Sequence, residues 1–401
     1  MSTHSVKSVK KPVDHGENTS PSRQPGKNKG SKRQTDNLAA EPTALASRTK
    51  RQIATNLLDW YDSAQRELPW RAKPGAMSNP YHVWLSEIML QQTVVKSAAP
   101  YFIKFISLWP TIEELAKAEL EDIRSAWAGL GYYTRAANLH KCAQVIVNDY
   151  NGKFPIFAEE LETLPGIGPY TAAAIAAIAF DEITTPVDGN IERLVSRLFA
   201  ITTPLPKAKP EIKIWAKALT PSRRTGDFAQ AQMDLGATIC TPKNPSCLLC
   251  PLAKHCNAHK QGIAAQLPQR LAKKPKPTRY GTAFFALRED GKVLLRQRPE
   301  GGLLGGMTEV PSTDWQEAPV TGKTALKSPP LKGKWWQVPG VVKHTFTHFH
   351  LELTVYRLIA TNQATLTLFA DPTRCKWVDR DALDKEALPS VMRKIIVHAQ
   401  N

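Results

Sequence analysis

The sequence lacks any apolar run long enough to cross a membrane. Its longest stretch of small apolar residues, Tyr170 to Phe180, is far shorter than the ~20 residues that a spanning helix needs. The first residues also lack the apolar segment of a secretion signal. We therefore expect no membrane partner and a location inside the cell. That location would be the cytoplasm, near the nucleoid, in a bacterium, and the nucleus or mitochondrion in a eukaryote.

Acidic residues are scarce relative to basic ones. The 401 residues include 53 lysines and arginines but 36 aspartates and glutamates, which gives a net charge of +17. Such an excess favours a polyanionic partner, with nucleic acid ahead of an anionic membrane surface. The alternative, that the positive charge serves only solubility, stays open on composition alone.

Aromatic residues are absent from residues 1–48, where Ser, Lys, Pro, Gly, Asn and Gln dominate. A segment of this composition buries too little apolar surface to offset the entropy of ordering, which predicts a disordered basic tail. Residues 263–278 are rich in Pro and Lys and are predicted to form an extended basic linker.

Strand-like alternation is scarce between the tail and the linker. Within residues 49–262, apolar side chains recur instead at helical spacing, over residues 53–61, 83–109 and 191–198. Residues 279–401 change to β-like runs with one closing helix. The predicted fold is a mostly α-helical N-terminal domain followed by an α+β C-terminal domain. The predicted strands of the latter are 280–287, 292–298, 348–359 and 376–378, and its helix is 389–398.

Cysteine is rare as well, with six residues in the chain, yet four of the six lie within seventeen residues. Their spacing is Cys-x6-Cys-x2-Cys-x5-Cys, which contains one close pair, whereas zinc sites usually show two. Four thiolates can instead hold a [4Fe–4S] cluster when short loops wrap around it. The iron–sulfur interpretation is favoured, and zinc or chance clustering stays open. The candidate ligands are Cys240, Cys247, Cys250 and Cys256.

A short glycine-containing loop, Leu164-Pro165-Gly166-Ile167-Gly168, separates two predicted helices. Glycines leave backbone N–H groups uncovered, and Pro169 suits the first position of the second helix. Uncovered amides at the start of a helix can bind a DNA phosphate. A plain helical hairpin would show the same pattern and remains the alternative.

Two carboxylates stand in different predicted environments. Glu87 shares a helix face with Val83 and Trp84, where desolvation would raise its pKa and make it a general acid at neutral pH. A paired structural carboxylate is the alternative. Asp188 precedes a predicted helix as its N-cap, which would place its carboxylate between that helix and the hairpin. Glycosidases similarly pair an acid with a group that stabilises positive charge.

These motifs together resemble one family. The cysteine spacing, the Leu-Pro-Gly-Ile-Gly hairpin and the segment SEIMLQQT at residues 86–93 are similar to those of adenine DNA glycosylases of the helix-hairpin-helix, or endonuclease III, superfamily. The resemblance covers roughly residues 50–400. It implies one [4Fe–4S] cluster that shapes a DNA-contacting loop. It also implies that adenine paired with 8-oxoguanine or guanine is removed from double-stranded DNA, which leaves an abasic site.

The same resemblance implies catalytic roles. Glu87 matches the glutamate that protonates adenine at N7, and Asp188 matches the aspartate that stabilises the oxocarbenium-like sugar. Asn190 matches a neighbour that hydrogen-bonds this aspartate, and Tyr170 would help to hold the assembly. In bifunctional relatives a lysine that forms a Schiff base occupies the position of Tyr170. We therefore expect a monofunctional glycosylase.

Contacts with DNA follow from the resemblance too. In the family, wedge side chains insert around the orphaned base, the one left unpaired when adenine is extruded. The adenine pocket lies at the LPWR segment. A Phe-Ser-His loop recognises 8-oxoguanine. Here that loop contains threonine in place of serine, which adds a methyl group. The implied binding residues are Trp70, Arg71, Gln92, Thr93, Leu130, Tyr132, Gly166, Gly168, Gln230, Phe346, Thr347 and His348.

The C-terminal domain resembles the Nudix-like domain of adenine glycosylases. The glutamate-rich helix that holds Mg²⁺ in Nudix hydrolases does not follow residues 305–309, so nucleotide hydrolysis is not expected. We expect a monomer. Two alternatives are an endonuclease III-like glycosylase/lyase and an inert DNA-binding iron–sulfur protein. Tyr170 argues against the first, and the presence of both Glu87 and Asp188 argues against the second.

Overall fold

The computed structural model describes residues 46–73, 75–272, 275–319 and 322–400. The predicted tail lies outside these residues except for its last three, and the first helix already begins at Ser47. Within the described ranges, no helix combines the length and apolar character that a membrane span requires.

The first part of the chain is helical, as predicted. Its helices begin where the sequence supplies caps: Asn79 accepts a hydrogen bond from the N–H of Tyr81 at 2.9 Å, and Pro80 occupies the first helical position. The helices are α1 (Ser47–Ala64), α2 (Pro80–Leu90), α3 (Val95–Leu108), α4 (Ile112–Lys117), α5 (Leu120–Trp127), α6 (Thr134–Tyr150), α7 (Ala158–Leu161), α8 (Pro169–Phe180), α9 (Gly189–Leu198), α10 (Lys209–Leu219), α11 (Thr225–Thr238) and α12 (Asn257–Lys260).

The periodic stretch of residues 83–109 is not one helix. It breaks after Leu90 and resumes at Val95, because Gln92 adopts a left-handed backbone with φ +61°. Spacing alone did not reveal this break, since both helices keep the same apolar period. The break places Gln92 and Thr93 on a turn at the end of the helix that carries Glu87.

The C-terminal part is a mixed sheet with two helices, which confirms the α+β prediction. The sheet order is β3-β2-β1-β6-β4, with β5 also paired to β6 and β7 to β2. Three strands of two to four residues were not predicted, because so short a run shows no clear alternation. The elements are β1 (Thr278–Arg288), β2 (Lys292–Gln297), β3 (Thr308–Glu309), α13 (Gly322–Ala325), β4 (Trp336–Gln337), β5 (Val342–Thr345), β6 (His350–Ala360), β7 (Cys375–Asp379) and α14 (Ser390–Gln400).

The two parts pack directly against each other. Their apolar cores merge into one cluster, and Arg124 on α5 donates two hydrogen bonds, of 2.7 and 2.8 Å, to the carboxylate of Glu300. Part of the predicted linker also packs on the helical part. Leu267 is buried, and the N–H of Leu205 donates to the carbonyl of Gln269 at 2.9 Å. The segment of residues 263–270 is thus held in place.

Candidate active site

Glu87 is a buried carboxyl group on α2, with 6% of its surface exposed. Burial raises its pKa from 4.5 to about 7; a hydrogen bond from Tyr170 opposes this shift, and the charge of Asp188 adds to it. The side chain is therefore partly protonated at neutral pH. This is the environment that the apolar helix face predicts.

Tyr170 lies in the first turn of α8, directly after the glycine loop. Its hydroxyl group hydrogen-bonds Glu87, and its pKa is raised well above 10 by burial and by the charges of Glu87 and Asp188. A neutral phenol can donate to a carboxylate. Tyr170 thus contacts Glu87 on α2 and lies within the electrostatic influence of Asp188 at the start of α9.

Asp188 is the N-cap of α9, as its position before the helix predicts. Its carboxylate accepts hydrogen bonds from the N–H of Ile191 at 2.8 Å, the N–H of Asn190 at 2.9 Å and the Asn190 side-chain amide at 2.7 Å. Burial raises the pKa of Asp188 above its ordinary value, and these donors oppose the shift because they favour the ionised form. Its position is therefore fixed by the backbone.

Asn190 is held in turn by a residue that the sequence analysis missed. Arg193 donates to the Asn190 Oδ1 at 2.9 Å, to the Cys240 carbonyl at 2.7 Å and to the Gly236 carbonyl at 2.6 Å. A Cβ on Gly236 would lie 2.6 Å from the Cβ of Asn190, so only glycine lets α11 approach this closely. The glycine at position 236, within the predicted helical domain, was a weak signal of such a close approach.

A cavity of about 50 Å³ adjoins Glu87. Trp70, Arg71 and Gln230, the three predicted pocket residues, line it together with Glu87, whereas Asp188 and Tyr170 do not. Asp188 acts on the group through its charge, which raises the pKa of both Tyr170 and Glu87.

The arginines of this cavity are held by Asp234, which the sequence analysis did not identify. Asp234 is fully buried and accepts hydrogen bonds from Arg71 at 2.6 and 3.0 Å and from the side chain of Arg66 at 2.7 Å. Truncating one member of such a buried network leaves an uncompensated charge, which is strongly destabilising. The orientation of Arg71 therefore depends on a partner 163 residues away.

The predicted wedge residues lie on two turns but differ in exposure. Gln92 is exposed, and Tyr132 is 41% exposed with a left-handed φ of +49°. Leu130, in contrast, is 8% exposed and belongs to the apolar core. Here its side chain packs inward, because it closes the core beside Trp127 and Tyr133.

The glycine loop adopts the geometry that a hairpin needs. Gly166 has φ +78°, and a Cβ there would lie 2.9 Å from the Cβ of Asn138, whereas Gly168 faces open space. Gln91 donates to the Thr171 hydroxyl at 3.1 Å and so joins the end of α2 to the start of α8. Gln91 was not among the predicted site residues.

The Phe346-Thr347-His348 loop connects β5 to β6. Phe346 stacks on Phe349 with ring centroids 4.8 Å apart, while Thr347 and His348 are exposed. The hydroxyl groups of Thr347 and Tyr132 hydrogen-bond each other across the two parts of the chain. The loop lines a cleft of about 310 Å³ together with the turn that carries Tyr132.

The four clustered cysteines line one cavity and form no disulfides. Arg197, 1% exposed, donates to the Cys240 sulfur at 3.2 Å, and the pKa of Cys250 is raised to about 12 by burial and by the neighbouring thiols. No group of potential ligands in the described ranges converges tightly enough for a single metal ion. Four thiols around one cavity, beside the buried Arg197, are a donor set that could hold a metal cluster.

Among the described residues after Gly306, no helix begins before α13 at Gly322. Residues 308–309 form β3, and Glu309 is fully buried in ion pairs with Arg296 and Arg298, of 2.6 and 2.5 Å. A carboxylate committed to two guanidinium groups is not available to a metal.

Comparisons with known proteins identify both parts. Residues 85–217 match the model of the HhH-GPD superfamily base excision DNA repair proteins, and residues 282–398 match the NUDIX domain. The adenine DNA glycosylase of Homo sapiens is 32% identical over 92% of this chain and 79% of its own length. That of Buchnera aphidicola subsp. Schizaphis graminum is 42% identical over 54% of this chain and 62% of its own.

Among solved structures, that of a thermostable thymine-DNA glycosylase aligns with 53% of this chain and 98% of its own, at 27% identity and a TM-score of 0.48. The similarity to the human enzyme extends over most of both chains. The chain therefore belongs to the adenine DNA glycosylase family of base excision repair enzymes.

Proposed function

We propose that this adenine DNA glycosylase acts on adenine paired with 8-oxoguanine or guanine in double-stranded DNA, and that Glu87, Tyr170 and Asp188 perform the chemistry. The observation that carries the proposal is the buried carboxyl of Glu87, whose pKa of about 7 keeps a proton available at neutral pH. Such a group is suited to act as a general acid on an uncharged base.

In the proposed reaction, Glu87 donates its proton to N7 of the extruded adenine. The C1′–N9 bond then breaks, its electron pair leaves with the neutral base, and positive charge develops on the sugar. Asp188 stabilises that charge, since its three N–H donors favour the ionised form of the carboxylate and fix it in place. Tyr170 positions Glu87 through its hydrogen bond.

Water completes the reaction in this proposal, so the product is an abasic site with an intact backbone. Tyr170 stands at the hairpin position where a lyase carries its lysine, and a phenol cannot form a Schiff base. Borohydride should therefore trap little covalent complex with DNA. Efficient trapping would show that another amine, such as the exposed Lys153, attacks the sugar.

Binding of the damaged duplex is assigned to three surfaces. The hairpin amides around Gly166 and Gly168 bind a phosphate. Gln92, Thr93 and Tyr132 fill the space beside the orphaned base, which offsets part of the few kcal/mol that base extrusion costs. Phe346, Thr347 and His348 contact the 8-oxoguanine, and the exposure of Thr347 and His348 supports this role. One chain supplies every group, so we propose that it acts as a monomer.

The cofactor of this proposal is one [4Fe–4S] cluster held by Cys240, Cys247, Cys250 and Cys256. When bound it would supply structure rather than redox chemistry, because it orders the loop between α11 and α12. Arg197 would hydrogen-bond a ligand sulfur, as it already contacts Cys240. Brown protein with visible absorption, lost in Cys250→Ser, would support the cluster, and stoichiometric zinc would contradict it.

The experiment that tests the function is a cleavage assay. Duplexes with adenine opposite 8-oxoguanine, guanine or thymine are incubated with the protein, treated with alkali and separated on a gel. We expect strand breaks at adenine opposite 8-oxoguanine and guanine, but not opposite thymine. Breaks without alkali would contradict the monofunctional assignment, and equal cleavage of all three duplexes would contradict the substrate assignment.

A further inference from the structure

Arg135, near the start of α6, is a buried cation that forms no ion pair with an acidic side chain of the described residues. It is 8% exposed, and burial lowers its pKa to about 10, against a smaller opposing effect of Tyr132. It therefore remains charged at neutral pH. A buried charge is costly unless hydrogen bonds compensate for it. Both terminal nitrogens of this guanidinium group are engaged, whereas its Nε has no partner among the described residues.

The compensation comes from five hydrogen bonds to two separate segments. Toward α2 and its following turn, Arg135 donates to the Ile88 carbonyl at 2.7 Å, the Met89 carbonyl at 3.0 Å and the Thr93 hydroxyl at 3.2 Å. Toward the turn after α5, it donates to the carbonyls of Leu130 at 3.3 Å and Gly131 at 3.0 Å.

Both segments lead into predicted wedge residues. Gln92 lies between Met89 and Thr93, and Tyr132 directly follows Gly131; each has a left-handed backbone that an L residue rarely adopts. The guanidinium group also lies 5.6 Å from the centroid of the Tyr132 ring. One side chain thus holds two strained turns that are distant in sequence.

We propose that Arg135 is a positioning residue that fastens the Gln92 turn to the Leu130–Tyr132 turn, so that both act as one rigid wedge while adenine is extruded. The proposal rests on the proposed wedge function. Extrusion is unfavourable, and flexible turns would have to be ordered at the same moment, whereas preorganised turns are not. Lysine cannot replace arginine here, because a single ammonium group cannot reach both segments as the planar fork does.

Arg135 also contacts the carbonyl of Ile88, the residue after Glu87, so it could instead serve only to place the acid. Base extrusion without chemistry separates these roles. The test therefore uses Glu87→Gln protein, in which adenine is not released, and duplexes with 2-aminopurine beside the adenine opposite 8-oxoguanine. The fluorescence of 2-aminopurine rises when its neighbour leaves the stack.

We expect Glu87→Gln to show the fluorescence rise, and Glu87→Gln/Arg135→Lys to reduce the extruded-to-stacked ratio at least about tenfold, or ~1.4 kcal/mol. Glu87→Gln/Ile146→Val alters the buried core of the same helix and should keep the ratio. An unchanged ratio in the Arg135→Lys protein would overturn the proposal. No rise in Glu87→Gln itself would refute the proposed extrusion of adenine, not the role of Arg135.

A milder substitution keeps the proposal testable if the Arg135→Lys protein fails to fold. Thr93→Val removes a single acceptor of Arg135 and leaves its four carbonyl contacts. If Arg135→Lys lowers the melting temperature far more than Ile146→Val does, the extruded-to-stacked ratio of the Thr93→Val protein is used to test the proposal instead. We then expect it to reduce the ratio about twofold or more, in line with one hydrogen bond, and an unchanged ratio would overturn the proposal.

Discussion

The proposed adenine pocket in the helical part and the proposed 8-oxoguanine surface in the C-terminal part are built in opposite ways. Glu87 is 6% exposed, and the carboxylate of Asp188 is fixed by three N–H donors. Thr347 and His348, in contrast, are exposed on a loop between two strands. The difference follows from their tasks, because a carboxylic acid keeps its proton at neutral pH only when desolvated, whereas a base that stays in the duplex is read by groups that water can also reach.

The two regions are nevertheless joined. The hydroxyl groups of Tyr132 and Thr347 meet across the cleft, and Arg124 holds the loop of Glu300 against α5, the helix that precedes the Tyr132 turn. In the proposed function, recognition of the lesion and extrusion of adenine therefore share one stretch of chain. Separate substitutions in each region should separate chemistry from recognition.

The largest effect is expected from Glu87→Gln. Loss of the proton donor should slow single-turnover adenine release by about 10²–10⁴-fold while duplex affinity changes little. The rate is measured with adenine opposite 8-oxoguanine. Glu113→Gln, at an exposed position on α4, is the matched control and should behave as wild type. Wild-type turnover by Glu87→Gln would remove the acid role from this residue.

The same substitution should stabilise the protein in alkaline solution. The pKa of Glu87 is about 7 in the folded chain and 4.5 in the unfolded one, so its contribution to stability is complete below 4.5 and is lost as the pH rises through 7. Glu87→Gln should raise the free energy of unfolding by about 3 kcal/mol at pH 8 and by less than about 1 kcal/mol at pH 5. Urea unfolding at both pH values checks this, and equal gains at both would count against it.

A smaller effect is expected at the recognition surface. Thr347→Val removes the hydroxyl group that meets Tyr132, which should lower the preference for 8-oxoguanine over guanine about two- to tenfold, as one hydrogen bond allows. Thr347→Ser keeps the hydroxyl group and should retain the preference. The ratio of the two cleavage rates is the measurement. A loss in the Ser variant equal to that in Val would contradict the assignment of the preference to the hydroxyl group, because Ser keeps that group.

The sequence predicted the parts of the site that local rules determine. The N-cap role of Asp188 follows from its place before an apolar helix period, and the burial of Glu87 follows from its helical neighbours. The overall division into a helical part and an α+β part was also predictable, since the period of the apolar residues changes from one to the other.

What the sequence did not predict depends on contacts between distant residues. Asp234 meets Arg71 over 163 positions, and Arg193 meets Cys240 over 47. The inward packing of Leu130 is likewise a tertiary effect, because its turn could present the side chain to either side. Spacing and composition describe one element at a time, so they cannot show which elements meet.

The most direct test is a carbon-13 NMR titration of glutamate carboxyl groups in the DNA-free protein. The signal of Glu87 is identified by its absence from Glu87→Gln. We predict a titration midpoint near pH 7, because burial outweighs the hydrogen bond from Tyr170. A midpoint near 4.5, the ordinary value for glutamate, would mean that this carboxyl group has no proton to give at neutral pH.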